Sequence, residues 1–127
     1  MIERPERRRV ARLTVPSHLG GFELELRLVR LLELSSEGAR IEHPGHLHEG
    51  LVCFMDLPPA LGRVWLTGRV IWTRLYKTEQ TFEGDKHVYY QSGLLFIGIT
   101  PEQERGLAAA LEMLKTVHDM PEGEASR

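Results

Sequence analysis

A single cysteine in 127 residues excludes an internal disulfide and a thiolate metal cluster. It sits in the apolar run "LVCFM", where Cys53 reads as a small buried hydrophobe rather than a reactive thiol. Aromatic residues make up only 7% of the chain, and an excess of either charge sign is missing: 16 Lys and Arg against 18 Asp and Glu leave a net −2. A chain so near neutral does not coat nucleic acid or membrane through bulk charge, so any anion binding must be local. No apolar run approaches the ~20 residues of a membrane-spanning helix, and the N-terminus lacks the apolar stretch of a secretory leader. A cytoplasmic, soluble protein follows as the expectation. Also missing are a nucleophile–base arrangement, a glycine-rich phosphate loop and a carboxylate pair in enzyme-like context. The chain is therefore expected not to be an enzyme and to need no cofactor.

What is present is an ordinary globular composition, 42% hydrophobic and 27% charged, in a length typical of one domain. After the turn "SHLGG", "FELELRL" alternates Phe22, Leu24, Leu26 and Leu28 against Glu23, Glu25 and Arg27. Strict period two predicts a strand with one buried face. The phase slips at Leu28–Val29 and again at Leu31–Leu32, and a helix competes because Leu, Glu and Arg are good helix formers. The clean alternation favours one long strand bent at bulges. Further strands are expected over 39–43, 50–57, 63–74 and 87–99, separated by the turn segments "HPGHLHEG", "LPPALG" and "TFEGDK". Thr100, Pro101 and Gln103 then form an N-terminal capping signature. Leu107, Ala110, Leu111, Leu114 and Val117 follow at helical spacing, so a helix is expected over about 101–117. Short strands without helical crossovers predict a mainly all-β, six-stranded antiparallel β-barrel with one C-terminal α-helix as its lid. Residues 1–12 are expected to be a flexible arginine-rich arm, 13–118 the body, and 119–127 an acidic tail.

Two short stretches carry chemistry. Arg4, Arg7, Arg8, Arg9 and Arg12 fall within nine residues of the N-terminal arm. Guanidinium forks hold phosphate oxygens in bidentate fashion and stack flat on aromatic rings, nucleobases included. Taken alone, such a run is more often a solvated terminus. The second stretch is "ELSSEGARI", residues 33–41. Gly38 allows close approach, and Ser35 and Ser36 offer hydroxyls to a turn or a ligand. Ionised Glu33 only accepts hydrogen bonds, which suits the N–H donors on the Watson–Crick edge of guanine. Alone, this segment is an ordinary hairpin turn.

Together, "ERRRVAR" with Arg8 and Arg12 as RxxxR, followed by "ELSSEG", resembles the bipartite signature of the PilZ domain family: RxxxR, then a [D/N]xSxxG turn. "GARIEH", "LTGRVIWTR", "SGLLFIGIT" and the C-terminal helix extend the likeness over about residues 4–116. The resemblance implies a six-stranded antiparallel barrel and a bacterial receptor for cyclic di-GMP. It implies that Arg8 and Arg12 grip the phosphates and stack on guanine, and that Ser35 and Gly38 form the turn facing the ligand. Glu33 stands where the family has Asp or Asn, one methylene longer. Arg7 and Arg9 add positive field, and Trp72 offers a stacking wall for a base or ordinary packing. The implied function is a receptor or adaptor whose N-terminal arm orders over the nucleotide and signals to an unidentified effector protein or through self-association. The alternative is a PilZ-like interaction module that no longer binds the nucleotide. His43, His46 and His48, near Glu49 and Cys53, invite a zinc reading that the Pro-Gly turn context disfavours. Single-stranded nucleic acid is disfavoured because the one arginine cluster lies in one arm and the rest of the chain is mildly acidic.

Overall fold

The turn segments fall where the chain changes direction, and burial alternates with period two over 52–56 and 65–71. The computed structural model describes residues 11–24 and 27–119. It contains strands β1 (Leu13–Thr14), β2 (Gly21–Leu24), β3 (Arg27–Leu34), β4 (Gly38–Pro44), β5 (Val52–Asp56), β6 (Trp65–Gln80) and β7 (Lys86–Phe96), then helix α1 (Pro101–Asp119). A 3-10 turn, Pro59–Leu61, lies between β5 and β6.

All strands join one antiparallel sheet in the order β1-β3-β4-β7-β6-β5, with β2 also on β3. β1 pairs with the end of β3 (Leu13↔Leu34, Thr14↔Glu33), and β2 with its beginning (Gly21↔Arg30 through Leu24↔Arg27). The two therefore share one edge, and the sheet has the six expected strand positions. β2 and β5, at opposite ends of the order, come into contact, yet among the described residues no ladder joins them. The sheet curls towards a barrel without closing.

Two expectations need correction. "FELELRL" is not one bent strand: Leu24 pairs with Arg27, so the chain reverses between them. The phase slip at Leu28–Val29 reflects this reversal, which leaves Leu24 and Val29 buried and Leu28 79% exposed. The second slip is a bulge as expected, because the β3–β4 register shifts between Leu31 and Glu33. The strand expected over 63–74 runs on to Gln80, where it is paired with Lys86 of β7.

The core gathers Leu24, Leu31, Leu34, Ile41, Met55, Leu66, Val70 and Leu94 from the sheet with Leu107, Ala110 and Leu114 of α1. Thus three positions of the apolar helical stripe are buried, while Leu111 packs partly buried beside them. The capping box forms in both directions: Thr100 N donates to Gln103 Oε1 at 2.9 Å, and Gln103 N donates to Thr100 Oγ1 at 3.1 Å. Gln103 Nε2 also donates to the Trp65 carbonyl at 2.7 Å, which fastens the helix start to β6. Thr100→Ala removes one of these partners and is expected to destabilise the protein by about 1 kcal/mol, read from the urea midpoint at unchanged slope.

Candidate functional site

The turn between β3 and β4 is built by Ser35. Its N–H donates to the Gly38 carbonyl at 2.9 Å, and its Oγ accepts from Glu37 N and Gly38 N, each at 3.1 Å. Its hydroxyl also lies 3.3 Å from the Gly38 carbonyl, to which it donates. Ser35 is 7% exposed. Its hydroxyl is thus committed to the turn, and what Ser35 gives the site is backbone shape. Phe96 N donates to the Glu37 carbonyl at 2.8 Å, tying the turn to the end of β7. Gly38 faces β7 so closely that a Cβ there would collide with the Leu94 carbonyl oxygen.

This turn sets the register of a row of residues across the sheet. Thr14, Glu33, Arg40, Gly93 and Trp72 are successive Cα partners on β1, β3, β4, β7 and β6. Side chains alternate between faces of a sheet, and the adjacent row carries buried Leu34 and Leu94 into the core. The Glu33 row therefore lies on the outer face. Arg40 Nη2 donates to Glu33 Oε2 at 3.0 Å and Arg40 Nη1 to Gln91 Oε1 at 2.9 Å. Trp72 lies across Gly93, where any Cβ would run into the indole. The Arg74 guanidinium stands 4.5 Å from the Trp72 ring centroid, a cation–π contact. A register shift between Val70 and Trp72 displaces Ile71 from the ladder and leaves it 48% exposed.

These features enclose an open cavity of about 340 Å³, lined by Arg12, Glu33, Ser35, Gly38, Arg40 and Trp72, with Ile71 and Leu95 among its apolar walls. Arg12 reaches it because Leu13, the next residue, is paired with Leu34 beside the turn. The structure thus brings Arg12, Glu33, Ser35, Gly38 and Trp72 to one place. Ser36 is exposed on the turn and does not line the cavity. Arg7, Arg8 and Arg9 lie outside the described residues. Arg40 and Gln91 escaped the sequence reading; Arg40 was legible in principle, since a hairpin closing on Leu34 and Ala39 sets Glu33 opposite it.

Charge in the cavity is nearly balanced. Arg40 is paired with Glu33, and the lining holds one further acid, Glu37, and one further base, Arg12. An anion entering here gains little attraction from the described walls beyond Arg12. The histidines lie elsewhere. His43 is buried; its Nδ1 lies 2.9 Å from the Gly45 carbonyl, which only accepts, so Nδ1 carries a proton. Its Nε2 lies 2.7 Å from Ser92 Oγ, which in turn lies 2.7 Å from Thr73 Oγ1. His46 packs edge-on to His48 and Tyr90. Among the described residues no group of three His, Cys, Asp or Glu side chains is placed to hold a metal ion, and no helix is long and apolar enough to cross a membrane.

The same arrangement of strands occurs in solved structures. The chain is similar to the structure titled as the PilZ domain with c-di-GMP of YcgR from Escherichia coli, with TM-score 0.66 and 20% identity, over 87% of this chain and 92% of that one. It is also similar to MrkH, titled a c-di-GMP-dependent transcription regulatory factor, with TM-score 0.62 and 15% identity, over 90% of this chain and 52% of that one. No curated protein matches the sequence. The two structures establish a shared fold, and the family model of the PilZ domain matches residues 3–112, most of the chain. The chain belongs to the PilZ domain family.

Proposed function

We propose that the cavity between Arg12, the Ser35–Gly38 turn and Trp72 binds cyclic di-GMP without turning it over. The observation that carries this reading is the convergence of Arg12, the Glu33–Gly38 stretch and Trp72, far apart in sequence, on one cavity. Each supplies chemistry the dinucleotide needs. Arg12 donates to phosphate and stacks on a base. Glu33 accepts from the guanine edge, and the indole of Trp72 offers a stacking surface beside it. At about 340 Å³ the cavity is near the lower end for ligand sites, so it holds part of the dinucleotide. Arg8, with Arg7 and Arg9 beside it, completes the grip from residues 1–12, which act as an arm over the ligand. Ordering that arm uses part of the binding free energy and presents a new surface to an effector protein or a second copy. No step of this function makes or breaks a covalent bond.

Calorimetric titration with cyclic di-GMP tests the reading. The wild type is expected to bind at about micromolar Kd or tighter. Arg12→Ala and Arg8→Ala are each expected to lose about 2–3 kcal/mol, roughly 30- to 150-fold, the scale of a charged hydrogen bond removed from a desolvated site. Because the cavity walls are nearly balanced in charge, attraction rests on the arm, and affinity should fall steadily as salt rises from about 0.05 to 0.5 M. Absence of heat at high ligand concentration would instead favour a module that works through protein contacts alone.

A further inference from the structure

Glu33, at the end of β3, is one methylene longer than the Asp or Asn of the family signature, and that methylene adds a rotor that must be ordered before a base is read. The sheet supplies the ordering. Arg40 stands directly across β3–β4 from Glu33, and its own partner on β7 is Gly93, which has no side chain to obstruct it. Two residues along β7, on the same face, Gln91 is 8% exposed and accepts from Arg40 Nη1 at 2.9 Å. The guanidinium is therefore fastened at one end to a buried amide and at the other, through Nη2 at 3.0 Å, to Glu33 Oε2. Only one carboxylate oxygen is engaged there. An ionised carboxylate has roughly four acceptor sites, so Glu33 retains capacity for a base.

We infer that Arg40, held by Gln91, is a positioning residue that fixes the Glu33 carboxylate for the guanine edge and so sets the base selectivity of the cavity. The inference rests on the cyclic di-GMP reading above. Two effects compete. Arg40 withdraws part of the carboxylate's acceptor strength, but it also removes the ordering cost of the side chain before binding, worth about two- to tenfold in affinity. With side chains 26% and 33% exposed, the ion pair is partly screened by water and its hold on the charge is modest. Pre-ordering therefore dominates. The consequence falls on the donors that guanine carries at N1 and N2, and not on the phosphates, which other residues hold.

The test compares cyclic di-GMP with its inosine analogue, which lacks the 2-amino donors, on wild type, Arg40→Met, Gln91→Met and Glu33→Ala. Wild type should prefer the guanine ligand by about tenfold or more. Arg40→Met should narrow that preference to about threefold, Gln91→Met should narrow it part of the way, and Glu33→Ala should abolish it. In the Glu33→Ala background, Arg40→Met should leave the ratio unchanged. A purely structural role for Arg40 would weaken both ligands alike and keep the ratio, which would overturn the inference while leaving the cyclic di-GMP site intact. Failure of the wild type to bind either dinucleotide would remove the site itself, and the inference with it. Thermal unfolding of each variant, recorded beside the titrations, shows that the compared proteins are folded.

Discussion

Gly38→Ala is expected to destabilise the protein by about 2–4 kcal/mol and to lose cyclic di-GMP binding in the same variant. The reason is space rather than backbone angle. A Cβ at position 38 would collide with the Leu94 carbonyl oxygen on β7, with the Leu94 carbonyl carbon also in tight contact. Backbone atoms in a paired strand cannot rotate away as a side chain can, so the turn itself must retreat. That movement strains the Ser35–Gly38 bond, the two bonds to Ser35 Oγ and the bond from Phe96 N to Glu37 O. Buried polar groups left without partners cost about 1–3 kcal/mol each, and losing one or two of these gives the stated range. Because Arg12 enters the cavity through the pairing of Leu13 with Leu34, retreat of the turn also separates the two halves of the site. Gly21→Ala is the matched control. Nothing lies within 4 Å of its added Cβ, and its φ is not among the positive values, so stability should be unchanged or rise by up to about 1 kcal/mol. Urea midpoints and titrations on both variants decide the matter. Gly38→Ala with wild-type midpoint and wild-type affinity would mean the turn does not need its close approach to β7.

How much of this was written in the sequence differs from element to element. The helix was legible because its signals are local: Thr100 and Gln103 cap one another, and the apolar stripe of α1 repeats at 3.6 residues. The Ser35–Gly38 turn was legible for the same reason, since all its hydrogen-bonding groups except Phe96 lie within four residues. "FELELRL" misled because period two marks a strand without marking its end. A hairpin and a straight strand share the alternation, and only the exposed Leu28 beside buried Val29 distinguishes them. The extension of β6 to Gln80 is not encoded in its own burial, which is mostly exposed beyond Thr73. It is imposed by pairing with β7 as far as Lys86. The sequence leaves the Ser35 hydroxyl open to a turn or a ligand, and three hydrogen bonds within the turn take it up. Gln91 could not be found at all, because its contact with Arg40 spans 51 positions. Local motifs reveal the poles of the site, and only the register of the sheet reveals what holds them.

Leu34→Ala should separate stability from recognition in the way Gly38→Ala cannot. Leu34 lies between Glu33 and Ser35, is 0% exposed and packs in the core, although it also borders the cavity that its neighbours line. Truncating a fully buried leucine removes its transfer free energy and leaves a partly unfilled cavity, together about 3 kcal/mol, within a range of about 2–5. For a chain of this size that lowers Tm by about 10–15 °C. The groups that shape the site are held by other bonds: Glu33 by Arg40, and Ser35 by Glu37 and Gly38. The ladder pairs Leu34↔Ala39 and Leu13↔Leu34 are backbone and survive the truncation. Affinity for cyclic di-GMP, measured well below the new Tm, should therefore stay within about threefold of wild type, and saturating ligand should restore part of the lost Tm because it binds only the folded chain. A tenfold or greater loss of affinity with stability preserved would reverse this assignment, placing Leu34 in recognition and leaving the outer row dependent on the core beneath it.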